Sequence, residues 1–267
     1  MKLFQIKPQE QIVESYEVKN HEIIDDKWSF EPHSQLGSNP GGIFSDPTGE
    51  KHYIKFYKNP KQVISEYAAT KIHELMGVKV LDIKMVVCEN KQFIDEYEYR
   101  GIHEGSIGIL SPWNPNLKVL GNRFYQISKQ DADHLGKSYI AAVLCENWDI
   151  VGLNVDNQVR DEITKELISV DHGGSFHFRA QGGSKDFAHD DIKTKDSLKK
   201  YSPAADVFSF VFEKFPEAET NAIARLHLIH HEDVQNIFED AGFSNAAHMA
   251  DVVMSRVEKL LDHYQAH

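Results

Sequence analysis

The chain has 267 residues, of which 41% are hydrophobic and 26% charged, with 16 glycines and 9 prolines. This is the composition of a folded globular protein; it excludes collagen-like, low-complexity and wholly disordered chains, and the length suits one large domain or two lobes. The 41 acidic residues against 29 Lys and Arg leave a formal charge of −12, which repels a phosphate backbone, so nucleic acid is not an expected partner. Cys88 and Cys145 show no Cys-x-x-Cys spacing, so neither a disulfide framework nor a cysteine zinc site is expected. No apolar run approaches the ~20 residues of a membrane span. The start, Met1-Lys2-Leu3-Phe4-Gln5-Ile6-Lys7-Pro8, lacks the apolar core of a secretory signal, which predicts a cytoplasmic protein or one exported by another route.

Residues 4–30 read weakly, as a leader strand or short helix. Residues 35–44 form a short apolar stretch broken by Gly37, Gly41 and Gly42. Asp46-Pro47-Thr48-Gly49 is turn chemistry, and residues 52–57 carry the aromatic and β-branched content of a strand. Together they predict a hairpin with a glycine-rich loop in its first arm. Asn59-Pro60 starts a helix whose apolar positions (Val63, Ile64, Tyr67, Ala68, Ile72, Leu75) recur at three- and four-residue steps until Gly77. Residues 78–87, 92–99 and 106–110 read as strands, and Ser111-Pro112-Trp113-Asn114-Pro115-Asn116 as the boundary between lobes. Beyond it come a helix at 131–146, a loop with a short strand at 149–160 and a strand at 167–170. From 204 onward the chain reads as helices, including 234–240 and 246–264.

Phosphoryl transfer from ATP needs few things: amides over the phosphates, a cation on them, oxygen ligands for Mg²⁺ and a carboxylate that orients the acceptor. The chain offers them in order. Gly37, Gly41 and Gly42 would let amides approach an anion, although a plain turn would use them too. Lys55, flanked by Ile54 and Phe56, lies mid-strand, and a lysine on a buried face needs a partner; Glu66, near the middle of the next helix, could supply it. Residues 147–157 pack Asp149, Asp156, Asn147, Asn154 and Asn157 among apolar residues just after a helix. Asp171 follows an apolar strand and opens an Asp-His-Gly-Gly turn, where it could bind Mg²⁺. The histidines show no His-Glu-x-x-His, Ser111, Ser175 and Ser209 lack a nucleophile elbow, and no Walker loop surrounds Gly136-Lys137-Ser138.

Three stretches, Gly37-Ser38-Asn39-Pro40-Gly41-Gly42, Asn147-Trp148-Asp149-Ile150-Val151-Gly152 and Asp171-His172-Gly173-Gly174, carry a family resemblance. Over residues 35–182 the chain resembles the atypical, phosphatidylinositol-kinase-related branch of the protein-kinase-like superfamily. It is especially similar to Legionella-type bacterial effector kinases and phage-borne relatives. The resemblance implies an α+β, bilobal protein-kinase-like fold, with a strand-rich N-lobe (1–110) and a helix-rich C-lobe (111–267). It implies ATP with Mg²⁺ or Mn²⁺ in the cleft, Gly37, Ser38, Gly41 and Gly42 over the phosphates, and Lys55 paired with Glu66. Asp149 would be the catalytic aspartate and Asp171 the principal metal ligand. Asn157 or Asn154 would be the second ligand, because the Asp-to-Asn interval is eight residues to the first and five to the second; the Asp156-Asn157 pair, similar to the lipid-kinase pattern, favours Asn157. Trp148 stands where an arginine for a phosphorylated activation loop would stand. The acceptor would be a phosphoinositide or a protein Ser/Thr, and an effector would be delivered into a host cell. Arg179, Lys185, Lys193, Lys195, Lys199 and Lys200 concentrate positive charge after Asp171. They suit an inositol polyphosphate activator or an anionic membrane surface, or else a solvated face. A nucleotide-binding pseudokinase and a nucleotidyl transferase on the same fold are the competing expectations.

Overall fold

A computed structural model describes residues 21–187, 192–200 and 204–266. The octapeptide read against secretion, the leader before His21, and His267 lie outside the described residues.

The first half builds one six-stranded sheet around a helix. Strands β1 (His21–Ile24), β2 (Ser29–Glu31), β3 (Gly41–Ser45), β4 (Lys51–Phe56), β5 (Lys84–Cys88) and β6 (Ile107–Pro112) lie in the order β1-β5-β6-β4-β3-β2. All pairs are antiparallel except β1 with β5. The expected β3–β4 hairpin turns at Asp46, whose carboxylate accepts from the backbone N–H groups of Thr48 and Glu50. The glycine-rich stretch expected in the first arm of that hairpin begins before the arm itself. It joins β2 to β3, and Gly41 and Gly42 open β3 itself. Gly42 is required there because a Cβ would come within 2.5 Å of Phe30 Cε2.

Helix α1 (Pro60–Leu75) begins as its sequence dictates: Asn59 caps it, accepting from Lys61 N at 3.0 Å, and Pro60 fills the first turn. It stops where Gly77 takes φ +75°. Its buried side packs on β5 and β6 above and on α3 and α7 below. At its end the Arg225 guanidinium donates to Leu75 O at 3.2 Å.

Two strand expectations are corrected. Residues 92–99 are not a strand but helix α2 (Lys91–Tyr97) followed by a 3₁₀ turn, Glu98–Arg100. Asn90 decides this by capping the helix, its side chain accepting from Phe93 N at 3.0 Å. Phe93 and Tyr97, one turn apart, then bury together against Phe30, and Phe93 also meets Phe44 and Phe56; each such ring contributes roughly 2 kcal/mol by leaving water. The strand expected at 78–87 begins only at Lys84, because Val80 bridges to Ser169 in the lower sheet.

That lower sheet is β7 (Leu117–Val119), β8 (Gln158–Asp161) and β9 (Leu167–Ser169), in sequential antiparallel order. The rest is helical: α3 (Lys129–Cys145), α4 (Thr194–Lys200), α5 (Ala205–Lys214), α6 (Glu217–Leu226), α7 (His231–Ala241) and α8 (Ala246–Gln265). A Ser128–Asp131 capping box starts α3. One apolar cluster fills the outer face of the upper sheet under α2. A larger one runs from α1 and the inner face through α3 to α8, so α1 belongs to the core of both halves.

Candidate active site

Side-chain alternation along β4 sends Ile54 and Phe56 into the upper core and Lys55 to the opposite face, toward α1. Its ammonium donates to Glu66 Oε1 at 2.9 Å and to Asp171 Oδ1 at 3.0 Å. Three residues separated by 11 and 116 positions therefore meet at one nitrogen. Gly41 stands opposite Lys55 in the β3–β4 register, and a Cβ there would come within 2.5 Å of Ile54 O. The glycine thus brings the start of β3 close against the strand that carries the lysine.

Electrostatics fix this junction in its charged form. Burial pulls the Lys55 pKa down, but Asp171 and then Glu66 reverse that and raise it well above its ordinary range. Asp171 is half-exposed at its carboxyl tip; burial would raise it, yet Lys55 brings it below the usual carboxylate range. Glu66 is raised by burial in spite of Lys55. The Tyr57 hydroxyl donates to its second oxygen at 2.5 Å.

Asp171 sits in the left-handed region at φ +57°, with Val170 between it and the end of β9. Behind it, Gly173 lies against the Tyr57 hydroxyl with no room for a Cβ. Gln62 Nε2 donates to Gly173 O at 3.1 Å. Buried His172 meets the Thr70 hydroxyl at 3.0 Å, and Thr70 also donates to Glu66 O. The turn after Asp171 is thereby fastened to α1 at two points.

Asp149 lies after α3, its N–H held by Asn147 Oδ1 at 2.9 Å. Asn157 Nδ2 donates to Asp149 O at 2.7 Å and approaches Asp149 Oδ2 at 3.4 Å. Asn154, the other candidate, is exposed on the turn between them. The eight-residue interval is taken up by a loop that needs two left-handed residues, Gly152 and Val155. Asp149 is pushed up to about 6, chiefly by burial and next by the charge on Asp171, with Asn157 opposing.

The half-exposed Asp171 carboxylate, bonded to Lys55, and the amide oxygen of Asn157, whose Nδ2 is bonded to Asp149, are both oxygen donors, the second making no hydrogen bond among the described residues. Such a set fits a hard divalent cation bound with phosphate oxygens. The glycine-rich loop is pinned by side chains that no local pattern singles out. Tyr53 OH bonds both N and O of Leu36, and Arg100 donates to Gln35 Oε1 and to Ser38 O. Gln35 donates to Gly37 O at 2.9 Å. Tyr57 was discoverable, because it follows Lys55 by two along the same strand face.

The basic residues divide. Arg179 and Lys185 lie 5.7 and 5.9 Å from the centre of the half-exposed Trp148 ring. The Lys185 ammonium donates to Glu146 O and to Gly174 O. Lys193, Lys195, Lys199 and Lys200 lie on or just before α4, where Lys195 pairs with Asp196 at 3.2 Å and Lys199 with Glu219 at 2.6 Å.

No protein-family model and no curated protein sequence matches the chain. Among solved structures it is similar to the crystal structure of a Helicobacter pylori proinflammatory kinase, CtkA. The TM-score is 0.57 at 14% identity, over 92% of this chain and 98% of that one. The chain has a bilobal, kinase-like α+β fold, a strand-rich lobe over a helix-rich one.

Proposed function

We propose that the protein is an ATP-dependent phosphotransferase, with lobes at 1–110 and 111–267 and the nucleotide between them. One observation carries the reading: a lysine ammonium held between a helix glutamate and an aspartate from the other lobe, at 2.9 and 3.0 Å. A cation so fixed is suited to phosphate oxygens, and its two carboxylates keep it charged and aimed. Asp171 and Asn157 would hold Mg²⁺ or Mn²⁺, which when bound offsets the charge of the triphosphate. Gly37 and Ser38, on a loop braced by Tyr53 and Arg100, and Gly41 and Gly42, at the start of β3, border the phosphates. Asp149 accepts or orients the proton of the acceptor hydroxyl; a carboxyl raised to about 6 is ionised at neutral pH and more basic than a free one.

The acceptor class is a phosphoinositide or a protein Ser/Thr, with the exposed Arg179 and Lys200 suited to an anionic partner such as an inositol polyphosphate or a membrane surface. The test is incubation with γ-labelled ATP, Mg²⁺, lipid vesicles and cell extract, with and without inositol hexakisphosphate. Label transfer that is lost in Asp149→Ala and in Asp171→Ala supports the reading. Full transfer by either variant removes the role given to that residue. Label incorporated only from the α-position makes the protein a nucleotidyl transferase, and Mg-ATP binding without any transfer makes it a nucleotide-binding scaffold.

A further inference from the structure

The loop that carries Asp149 and the turn behind Asp171 belong to different parts of the chain, and the proposed chemistry needs them aligned to a fraction of an ångström. Lys185 touches both. Helix α3 ends at Cys145, and Glu146 caps it in the left-handed region at φ +53°. The last carbonyls of a helix lack partners within it and attract positive charge. The Lys185 ammonium donates to one of them, Glu146 O, and at 3.0 Å to Gly174 O, three residues after Asp171.

The excursion that delivers this lysine is closed on itself. Lys185 N donates to His177 O at 2.9 Å, Phe178 bridges Ser184, and Arg179 and Gly182–Gly183 close the tip. On either side of it, Phe176 and Phe187 pack edge to face in the core, and Phe176 N donates to Cys145 O at 2.7 Å. The Glu146 carboxylate itself pairs with buried Arg256 at 2.8 Å. The lysine ammonium is held by two backbone carbonyls beside the face of Trp148, and burial lowers its pKa to about 8 against the opposing pull of the Glu146 charge.

We propose that Lys185 is a positioning residue whose ammonium fastens the catalytic loop to the turn behind Asp171. The segment after Asp171 is then set in its working arrangement by a cation of its own, with no phosphate added to it. Trp148, standing immediately before Asp149, offers that cation an aromatic face rather than a guanidinium that would seek a phosphate. The catalytic consequence rests on the phosphotransferase reading; the tether itself does not.

The experiment compares the full chain with Lys185→Met, which keeps length and loses the donors, and Lys185→Arg, which restores donors. Steady-state kinetics and hydrogen exchange are measured on each, alongside wild-type protein treated with phosphatase and checked by mass spectrometry. In Lys185→Met, kcat should fall about 100-fold while KM for ATP stays within about twofold, the mark of misplaced groups rather than lost binding. Amides 174–178 should exchange about tenfold faster. Lys185→Arg should recover much of the rate, and phosphatase-treated wild type should keep all of it. Wild-type kcat and exchange in Lys185→Met overturn the proposal, as does a wild type that loses its rate on dephosphorylation. Absence of any label transfer by wild type would defeat the phosphotransferase reading instead, and the exchange comparison alone would then decide the tether.

Discussion

Removing the charge of Asp149 should make the protein more stable while disabling it. Burial and the neighbouring Asp171 raise this carboxyl from its ordinary 3.8 to about 6. The folded chain thus holds the Asp149 proton more tightly than the unfolded chain does. The stability this contributes is present in acid and is lost as pH rises from 3.8 through about 6. Each tenfold change in acidity is worth ~1.4 kcal/mol, which bounds the penalty at neutral pH near 3 kcal/mol. Partial contact with solvent screens the site and reduces it to about 1–2 kcal/mol. Asp149→Asn keeps the shape and abolishes the charge. Urea unfolding at about pH 7.5 in EDTA should therefore show the variant more stable by about 1–2 kcal/mol, with Tm higher by roughly 3–6 °C. Near pH 4 the two proteins should converge, and phosphoryl transfer by the variant should be lost at every pH. A folded Asp149→Asn that is no more stable than wild type near pH 7.5 would refute the claim that the fold holds a costly charge there.

Arg256→Met should cost about 3–5 kcal/mol in urea unfolding, because it strands the Glu146 carboxylate in the core; adding Glu146→Gln should restore part of that loss. Gly41→Ala forces a Cβ to within 2.5 Å of the Ile54 carbonyl. It should lower stability by about 1–3 kcal/mol and weaken Mg-ATP binding in a calorimetric titration, since the strand that yields is the one carrying Lys55. His73 and His134 are buried and lowered to about 4, chiefly by burial. Their folded values lie below the ordinary 6.5, so the stability they contribute is present above that pH and is lost as pH falls toward 4. Unfolding free energy should drop steeply across this window, only partly offset by Asp149, and a flat profile would contradict the burial of both as neutral rings.

The meeting of Lys55, Glu66 and Asp171 was legible because each residue breaks its local pattern: a charge mid-strand, an acid on an apolar helix, an acid at the end of an apolar strand. The run Ser111-Pro112-Trp113-Asn114-Pro115-Asn116, read as the boundary, begins inside β6 and leads on to β7. Helix α2 was not legible. Phe93 and Tyr97 look β-forming, and only the cap at Asn90 and burial against Phe30 and Phe44 tip them into a helix. The braces supplied by Gln62, Thr70, His172 and Arg100 span 62 to 111 positions, which no local periodicity can signal. Positive charge after Asp171 was visible, but not that Lys185 would direct its ammonium to carbonyls.

The anchoring of α1 limits how this molecule could be inhibited. The helix is clasped at its far end by Arg225, along its length by α7, and on its inner side through Gln62 and Thr70. A compound that acted as a wedge, prising the glutamate-bearing helix outward, would have to undo all of these at once and open the shared core. Drug-like ligands should instead gain purchase beside Lys55 and Asp171, in competition with the nucleotide proposed to bind there.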